Sequence, residues 1–317
     1  MALADEFNVS ITEMLRGVDE RALAAASRGL SDAYRSGADP HVQDDLNVAA
    51  AYAAVRAPAT FAASASVFDV VARALPGFVP SSHLDLGAGI GSAAWAAHAT
   101  WPSFQDATLL DRSDALIDLG RSIAQWNWDW RVADLGTTTE LPAADLVTAS
   151  YAMGELDRGT RASILRAAWE ATRGVFVVIE PGTPRGFATI LEIRDALIAG
   201  AATLLAPCPH TDACPMPSGK WCHFPARLDR SPLHRRIKDV ELPYEDERFS
   251  YVAFTRLAMR PAPGRIVGHP RRPRRRVHLE VCTPTGIRDV VVGRSDRERY
   301  RAAKALTWGA AVPRELA

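Results

Sequence analysis

The sequence predicts an α/β protein built on a doubly wound sheet, and three observations carry that expectation. From about residue 59, short apolar runs alternate with longer helical ones, as strands do when helices cover both faces of their sheet. The first such run, "HLDL", passes directly into "GAGIGSAAWA", where glycines allow a tight turn from strand to helix. Of the 317 residues, 48% are apolar, enough for a sizeable core in one large domain or two modest ones.

The elements follow in order. Residues 1–58 form an N-terminal helical segment, with "ITEMLRGVDERALAAASRGLSDAYR" and "VQDDLNVAAAYAAVR" separated by a turn at "SGADPH". Residues 59–202 form the core. A helix, "ATFAASASVFDVVARAL", opens after Pro58, and the strands "SHLDLGAG", "DATLLDRS", "ADLVTASYAMGEL" and "GVFVVIEPGT" then alternate with helices. The last of these helices reads as one long run, "RGFATILEIRDALIAGAATLLA". Residues 203–232 are a proline-rich cysteine loop. Residues 233–317 hold the strands "RFSYVAFTRLAM", "RRRVHLEVCT" and "GIRDVVVGRS", expected to complete the sheet, and a final helix, "DRERYRAAKAL". The chain has no internal repeat and no long linker.

The formal net charge is zero, which argues against a protein that is basic all over. Charge is nonetheless concentrated: Arg260, Arg265, Arg271, Arg272, Arg274, Arg275 and Arg276 face the single acid Glu280 between residues 260 and 286. The acidic N-terminus reads as neither a signal nor a transit peptide, and no apolar run is long enough to span a membrane. A cytoplasmic location and no membrane partner are expected.

Gly87, Gly89 and Gly91 stand at the end of the first strand, where a side chain would block a ligand from the backbone N–H groups of the helix that follows. A nicotinamide fingerprint would require its third glycine at position 92, which is Ser92. With Asp85 two residues ahead, the loop instead resembles motif I of class I S-adenosylmethionine-dependent methyltransferases. That resemblance implies a loop lying against the methionine part of the cofactor, with Asp85 helping to orient it. Asp111, closing the second strand, would accept from the ribose hydroxyls, because a carboxylate is a bidentate acceptor. Asp134 would lie toward the adenine. The alternatives are a plain tight turn for the glycines and a helix or loop cap for Asp134. The Asn/Asp-Pro-Pro-aromatic turn used in amino-group methylation is replaced by "SYAMGEL". Glu155 and Glu180, at strand ends expected to face the cleft, are candidates for a base or a substrate-positioning acid, or for caps of the next helix.

Cys208, Cys214 and Cys222 fall in the loop "CPHTDACPMPSGKWC", and Cys282, the remaining cysteine, falls on a later strand. In a cytosolic chain disulfides have little use, so metal ligation is the natural reading. Thiolate coordination suits zinc or an iron–sulfur cluster, with His210 and His223 as further ligands or mere flankers. Four unrelated buried thiols are the alternative.

Together, the G-x-G-x-G core, "RAPATFAA", "IEPGTPRGF", "CPHTDACPMPSGKWCHF" and "LEVC" resemble the mitochondrial small-ribosomal-subunit methyltransferase-like family from about residue 50 onward. The absence of a transit peptide fits a bacterial relative. The resemblance implies a [4Fe–4S] cluster on Cys208, Cys214, Cys222 and Cys282 and association with the small ribosomal subunit during its assembly. Arg271, Arg272, Arg274, Arg275 and Arg276 would then dock on rRNA phosphates. Two readings follow: an S-adenosylmethionine-dependent rRNA methyltransferase, or a non-catalytic iron–sulfur assembly factor that binds rRNA through the same fold.

Overall fold

Four helices come before any strand: α1 (Leu3–Met14), α2 (Glu20–Ser36), α3 (Leu46–Val55) and α4 (Ala57–Ala74). Then follow β1 (Ser82–Leu86), α5 (Ser92–Thr100), β2 (Asp106–Asp111), α6 (Asp114–Ile123), β3 (Asp129–Val132), β4 (Ala144–Ser150), α7 (Arg158–Ala171), β5 (Thr172–Pro181) and α8 (Pro184–Ala199). The remainder comprises β6 (Thr203–Ala206), β7 (Phe224–Asp229), α9 (Pro232–Lys238), β8 (Tyr244–Thr255), β9 (Arg265–Ile266), β10 (Arg276–Thr283), β11 (Gly286–Gly293) and α10 (Arg297–Ala305). The structure, a computed structural model, describes residues 3–36, 45–138 and 140–316. From residue 37 on, the expected "SGADPH" turn lies outside the described residues. No described helix is long and apolar enough to cross a membrane.

Local chemistry sets the helix ends. The Asp45 side chain accepts from the Asn47 N–H at the start of α3, and Pro58 occupies the first turn of α4, where a missing N–H costs nothing. Ser113, Asp157 and Thr183 cap α6, α7 and α8 with their side chains. The N-cap positions of α7 and α8 are thus held by Asp157 and Thr183 rather than by Glu155 and Glu180.

The chain forms two compact units: Met1–Ile179 with Ala226–Glu247, and Glu180–Pro225 with Arg248–Ala317. In the first, β1 to β5 pair in the order β3-β2-β1-β4-β5, and every pairing is parallel. Val175 to Ile179 of β5 are all 0% exposed, as are Leu84 and Leu86 of β1, the signature of strands covered on both faces. Strand order reverses between β1 and β4. In open α/β sheets the crevice outside the carboxyl ends at such a reversal is where ligands bind. The glycine loop after β1 lies at that point.

The second unit departs from the sequence reading. Gly200 caps α8 and Ala201 takes a left-handed φ of 59°, so "TLLA" leaves the helix and becomes β6, antiparallel to β8. Strand β8 stops at Thr255, short of the "RLAM" that the sequence pattern included. Strands β9, β10 and β11 form an antiparallel sheet of their own, in the order β11-β10-β9. They bury Ile266, Val277, Leu279, Val281 and Val292 with Ala303 of α10. Strand β7 and helix α9 carried no clear periodicity and are seen only in the structure.

Candidate functional site

The glycine loop forms one wall of a cleft in the first unit. Gly87, Gly89 and Gly91 have φ of 70°, 57° and 83°, a region that costs other residues roughly 1–2 kcal/mol each. Their crowding differs. A Cβ on Gly87 would lie 2.5 Å from the Ala152 Cβ, and one on Gly91 2.8 Å from the Trp130 ring. At Gly89 the nearest atom would be 3.4 Å away, on Tyr52. The first and third glycines are thus demanded by packing, whereas the middle one faces the cleft.

Asp111 binds the loop to the end of β2. Its Oδ2 accepts the Gly89 N–H at 2.7 Å and its Oδ1 the Ser113 N–H at 2.9 Å. Burial raises its pKa while these two N–H groups oppose the rise. Asp111, Arg112 and Asp134 line the cleft with Tyr52, Tyr151 and Glu155. Asp134 also turns its own loop, accepting from the Gly136 N–H at 2.7 Å. Glu155 pairs with Arg112 at 3.8 Å. Glu180 is not among the lining residues; it is buried, 2% exposed, at the head of the second unit. Its place next to a strand end hid the fact that it points into a packed interior.

Asp85 is buried beneath the loop, 1% exposed. Its Oδ1 accepts from the Thr148 hydroxyl at 2.6 Å, and Thr148 Oγ1 lies 2.7 Å from His83 Nε2. Since the single Thr148 hydrogen is used on Asp85, His83 donates from Nε2. Burial holds His83 neutral, down to about 3, and pushes Asp85 up to about 7, with Asp111 adding to the rise. Asp85 Oδ2 is buried and has no hydrogen-bond partner among the described residues.

Sequence reasoning missed a second wall. Tyr151, directly after β4, has a φ of 60°, strain that collects at functional sites. Its hydroxyl donates to Glu247 at 3.0 Å, and Arg56 grips both Glu247 oxygens at 3.1 and 3.3 Å. Arg56 Cζ also stands 5.6 Å from the centre of the Tyr151 ring. Glu247 is 191 residues from Arg56, so no local pattern could have joined them.

In the second unit, Cys208, Cys214, Cys222 and Cys282 line one cavity, whose walls are otherwise mainly apolar side chains and two arginines, Arg194 and Arg265. All four are free thiols. Burial pushes the Cys208, Cys222 and Cys282 thiols up, Cys282 to about 12, and the neighbouring cysteines add to the rise. His210 Nε2 is 3.8 Å from Cys282 Sγ. His223 instead stacks edge-on against Trp308. Among the described residues, no group of three or more His, Cys, Asp or Glu is placed to hold a metal ion.

The loop has no secondary structure, yet its carbonyls are held. Arg265 Nε donates to Pro207 O at 2.8 Å, Arg194 Nη2 to His210 O and Asp212 O at 3.1 and 2.6 Å, and Ser250 Oγ to Cys222 O at 2.7 Å. Trp221 Nε1 donates to Gly182 O at 2.8 Å.

Arg271, Arg272, Arg274, Arg275 and Arg276 are all exposed. Arg271 bridges to His278, Arg272 Nη2 donates to Leu306 O at 2.7 Å, and Arg275 has a φ of 66°. Arg276 opens β10, and Cys282 lies near its other end. Six strand residues place the two about 20 Å apart.

Parallel strands β1 to β5, a glycine loop at the strand-order reversal and a carboxylate on that loop from the next strand define a Rossmann-like α/β protein. Residues 46–313 match the family model described as mitochondrial small ribosomal subunit Rsm22, and the chain belongs to that family. It is 27% identical over 286 residues to the human mitochondrial ribosome assembly protein METTL17, covering 83% of this chain. The match spans 62% of that relative's length, less than two thirds. Similar solved structures include magnesium protoporphyrin IX methyltransferase from Synechocystis with bound S-adenosylmethionine (13% identity, 72% of this chain and 91% of that one, TM-score 0.39). Another is the N-methyltransferase NodS from Bradyrhizobium japonicum with S-adenosylhomocysteine (12% identity, 72% and 97%, TM-score 0.41).

Proposed function

We propose that this chain is a methyltransferase-like assembly protein of the small ribosomal subunit, acting in translation through rRNA, with S-adenosylmethionine at its glycine loop and a [4Fe–4S] cluster on its four cysteines. Family membership supports the ribosomal role. The observation that carries the cofactor is the cleft at the strand-order reversal, where Gly89 offers an uncrowded approach and Asp111 is fixed by two backbone N–H groups. The Asp111 carboxylate has acceptor capacity left for a ribose hydroxyl, and among the described residues Asp85 Oδ2 is a buried acceptor without a partner. S-adenosylmethionine would supply an electrophilic methyl group there. Gly87, Gly89, Gly91, Asp85 and Asp111 would hold it, with Asp134 toward the adenine and Glu155 at the mouth.

The cysteine cavity fits a sulfur-ligated metal group by its donor set, four thiols on one mainly apolar cavity. Soft thiolates in such surroundings suit an iron–sulfur cluster, with zinc as the alternative. The exposed arginines at 271–276 are suited to phosphates.

One observation favours the non-catalytic form of this reading. The polar side chains that line the cleft are engaged, Tyr151 on Glu247, which Arg56 also holds, and Arg112 on Glu155, which suits holding a partner better than moving protons. Titration calorimetry with S-adenosylmethionine and S-adenosylhomocysteine, beside a methyl-transfer assay on small-subunit rRNA, tests both. Binding without transfer selects the platform; transfer selects the enzyme; no binding removes the cofactor from the proposal.

A further inference from the structure

The cysteine cavity contains more positive charge than its protein surroundings balance. Arg194 is 1% exposed and Arg265 3%. Arg194 has one acid, Asp195, whose side chain is 65% exposed, so water screens that pair. Arg265 donates to two backbone carbonyls, Pro207 O at 2.8 Å and Gly309 O at 3.1 Å, and these carry no net charge. A buried guanidinium facing neutral thiols is costly, and proteins pair such charges. The cavity also holds donors without partners. Among the described residues, Arg194 Nε and the Tyr251 hydroxyl are both buried and find no hydrogen-bond partner, and both residues line the cavity. The Arg194 charge also acts on Cys208, opposing the rise that burial gives its thiol.

These features ask for the same occupant: an anion rich in acceptor atoms. When four thiols lose their protons to bind a metal, the product is a dianion for a zinc ion and for an oxidised four-iron, four-sulfide core alike. Two guanidinium groups match that charge.

We propose that Arg194 and Arg265 are the counter-charges of the thiolate–metal group in this cavity, and that Arg194 and Tyr251 donate hydrogen bonds to its sulfur atoms. This rests on the four-thiol reading above and assigns the residues that make it electrostatically possible. Arg265 is placed for the role by register, since it pairs directly with Cys282 across β9 and β10. Arg194 reaches the cavity from α8 while its Nη2 holds the loop at His210 O and Asp212 O. One residue thus both orders the ligand loop and neutralises what the loop binds. Hydrogen bonds and positive charge at the sulfurs favour the more reduced, more negative state of a cluster, so both arginines should raise its potential.

The test uses the full chain, unfolded and refolded without oxygen, reconstituted in parallel with equal ferrous and ferric iron plus sulfide and with zinc sulfate. Wild type is compared with Arg194→Met, Arg194→Lys, Arg265→Met and Tyr251→Phe. Metal per chain, release to a chelator and, for iron, the midpoint of a redox titration are read. Arg194→Met and Arg265→Met should release metal at least about tenfold faster, the usual scale for losing a group that supports the ligands. Their cluster midpoints should move to lower potential. Arg194→Lys should recover most of the loss by keeping the charge, and Tyr251→Phe should lower the midpoint slightly with metal content unchanged. Arg265→Met also strips two carbonyls of their donor; if it does not fold, Arg194→Lys against Arg194→Met and Tyr251→Phe decide. Methionine variants that hold metal as wild type does, at the wild-type midpoint, overturn the counter-charge role and leave the four-thiol reading standing. A wild type that takes up neither metal, with all four thiols still open to a thiol reagent, removes that reading and this inference with it.

Discussion

The glycine cleft and the cysteine cavity solve the problem of holding a ligand in opposite ways. In the cleft, the backbone does the work. Glycines allow left-handed turns at the end of a buried strand, and one carboxylate gathers two N–H groups from its own and the neighbouring connection. In the cavity, side chains do it: an irregular loop is fixed by arginine, serine and tryptophan donors from α8, β8, β9 and the loop itself. A site made of backbone at a sheet end is complete before its ligand arrives. A site made of thiols and buried cations is balanced only when filled. The cleft should therefore tolerate an empty state, and the cavity should not.

The comparison breaks most readily at the cavity. Cys222→Ser should lose most of the metal and lower the stability of the second unit by several kcal/mol, because ligation free energy of about 10–16 kcal/mol in small zinc sites is folding energy. Metal analysis with thermal unfolding checks this; full metal content would remove Cys222 from the ligand set. Next comes Gly91→Val, which drives a branched side chain into Trp130 at a left-handed φ. It should destabilise the first unit by roughly 3 kcal/mol or more, seen as a lower denaturant midpoint.

Gly89→Arg sharpens the contrast, since its Cβ would meet only Tyr52 at 3.4 Å. The variant should keep its fold at a cost of roughly 1–2 kcal/mol and lose S-adenosylmethionine binding by calorimetry. Unchanged affinity would take the loop out of the site.

Asp85 separates a stability role from a binding role. Its pKa is raised to about 7 by burial, so the native state binds a proton that the unfolded chain releases near pH 4. Its contribution is present below the unfolded value and lost as pH rises through about 7, by up to roughly 4 kcal/mol. Asp85→Asn should flatten the stability curve between roughly pH 4 and 7, in chemical denaturation at a series of pH values; an unchanged slope would mean Asp85 does not titrate in this range.

The smallest effect is expected at the arginines. Replacing Arg272, Arg274 and Arg275 with alanine should weaken binding to small-subunit RNA and reduce its salt slope by up to about three units, slightly under one per phosphate contact. Cys282→Ser should weaken it less, because about 20 Å of strand separates Cys282 from Arg276. Wild-type affinity and slope in the triple variant would move RNA docking to another surface.

What the sequence determined by itself is what short-range physics writes into consecutive residues. Strand β1, the turn at Gly87–Gly91 and the helix after it are legible because a buried strand, left-handed turn positions and a helix start each have a local signature. The crowding of three cysteines in a proline-rich loop is legible for the same reason. The tertiary structure alone decided which distant groups meet. It brought Arg56 and Glu247 to Tyr151, buried Glu180, ended α8 at Ala199, and set Arg194 and Arg265 around the thiols. None of these has a sequence period. Each depends on the free energy of burying a charge or a strained backbone, which is defined only once the rest of the chain has packed around it.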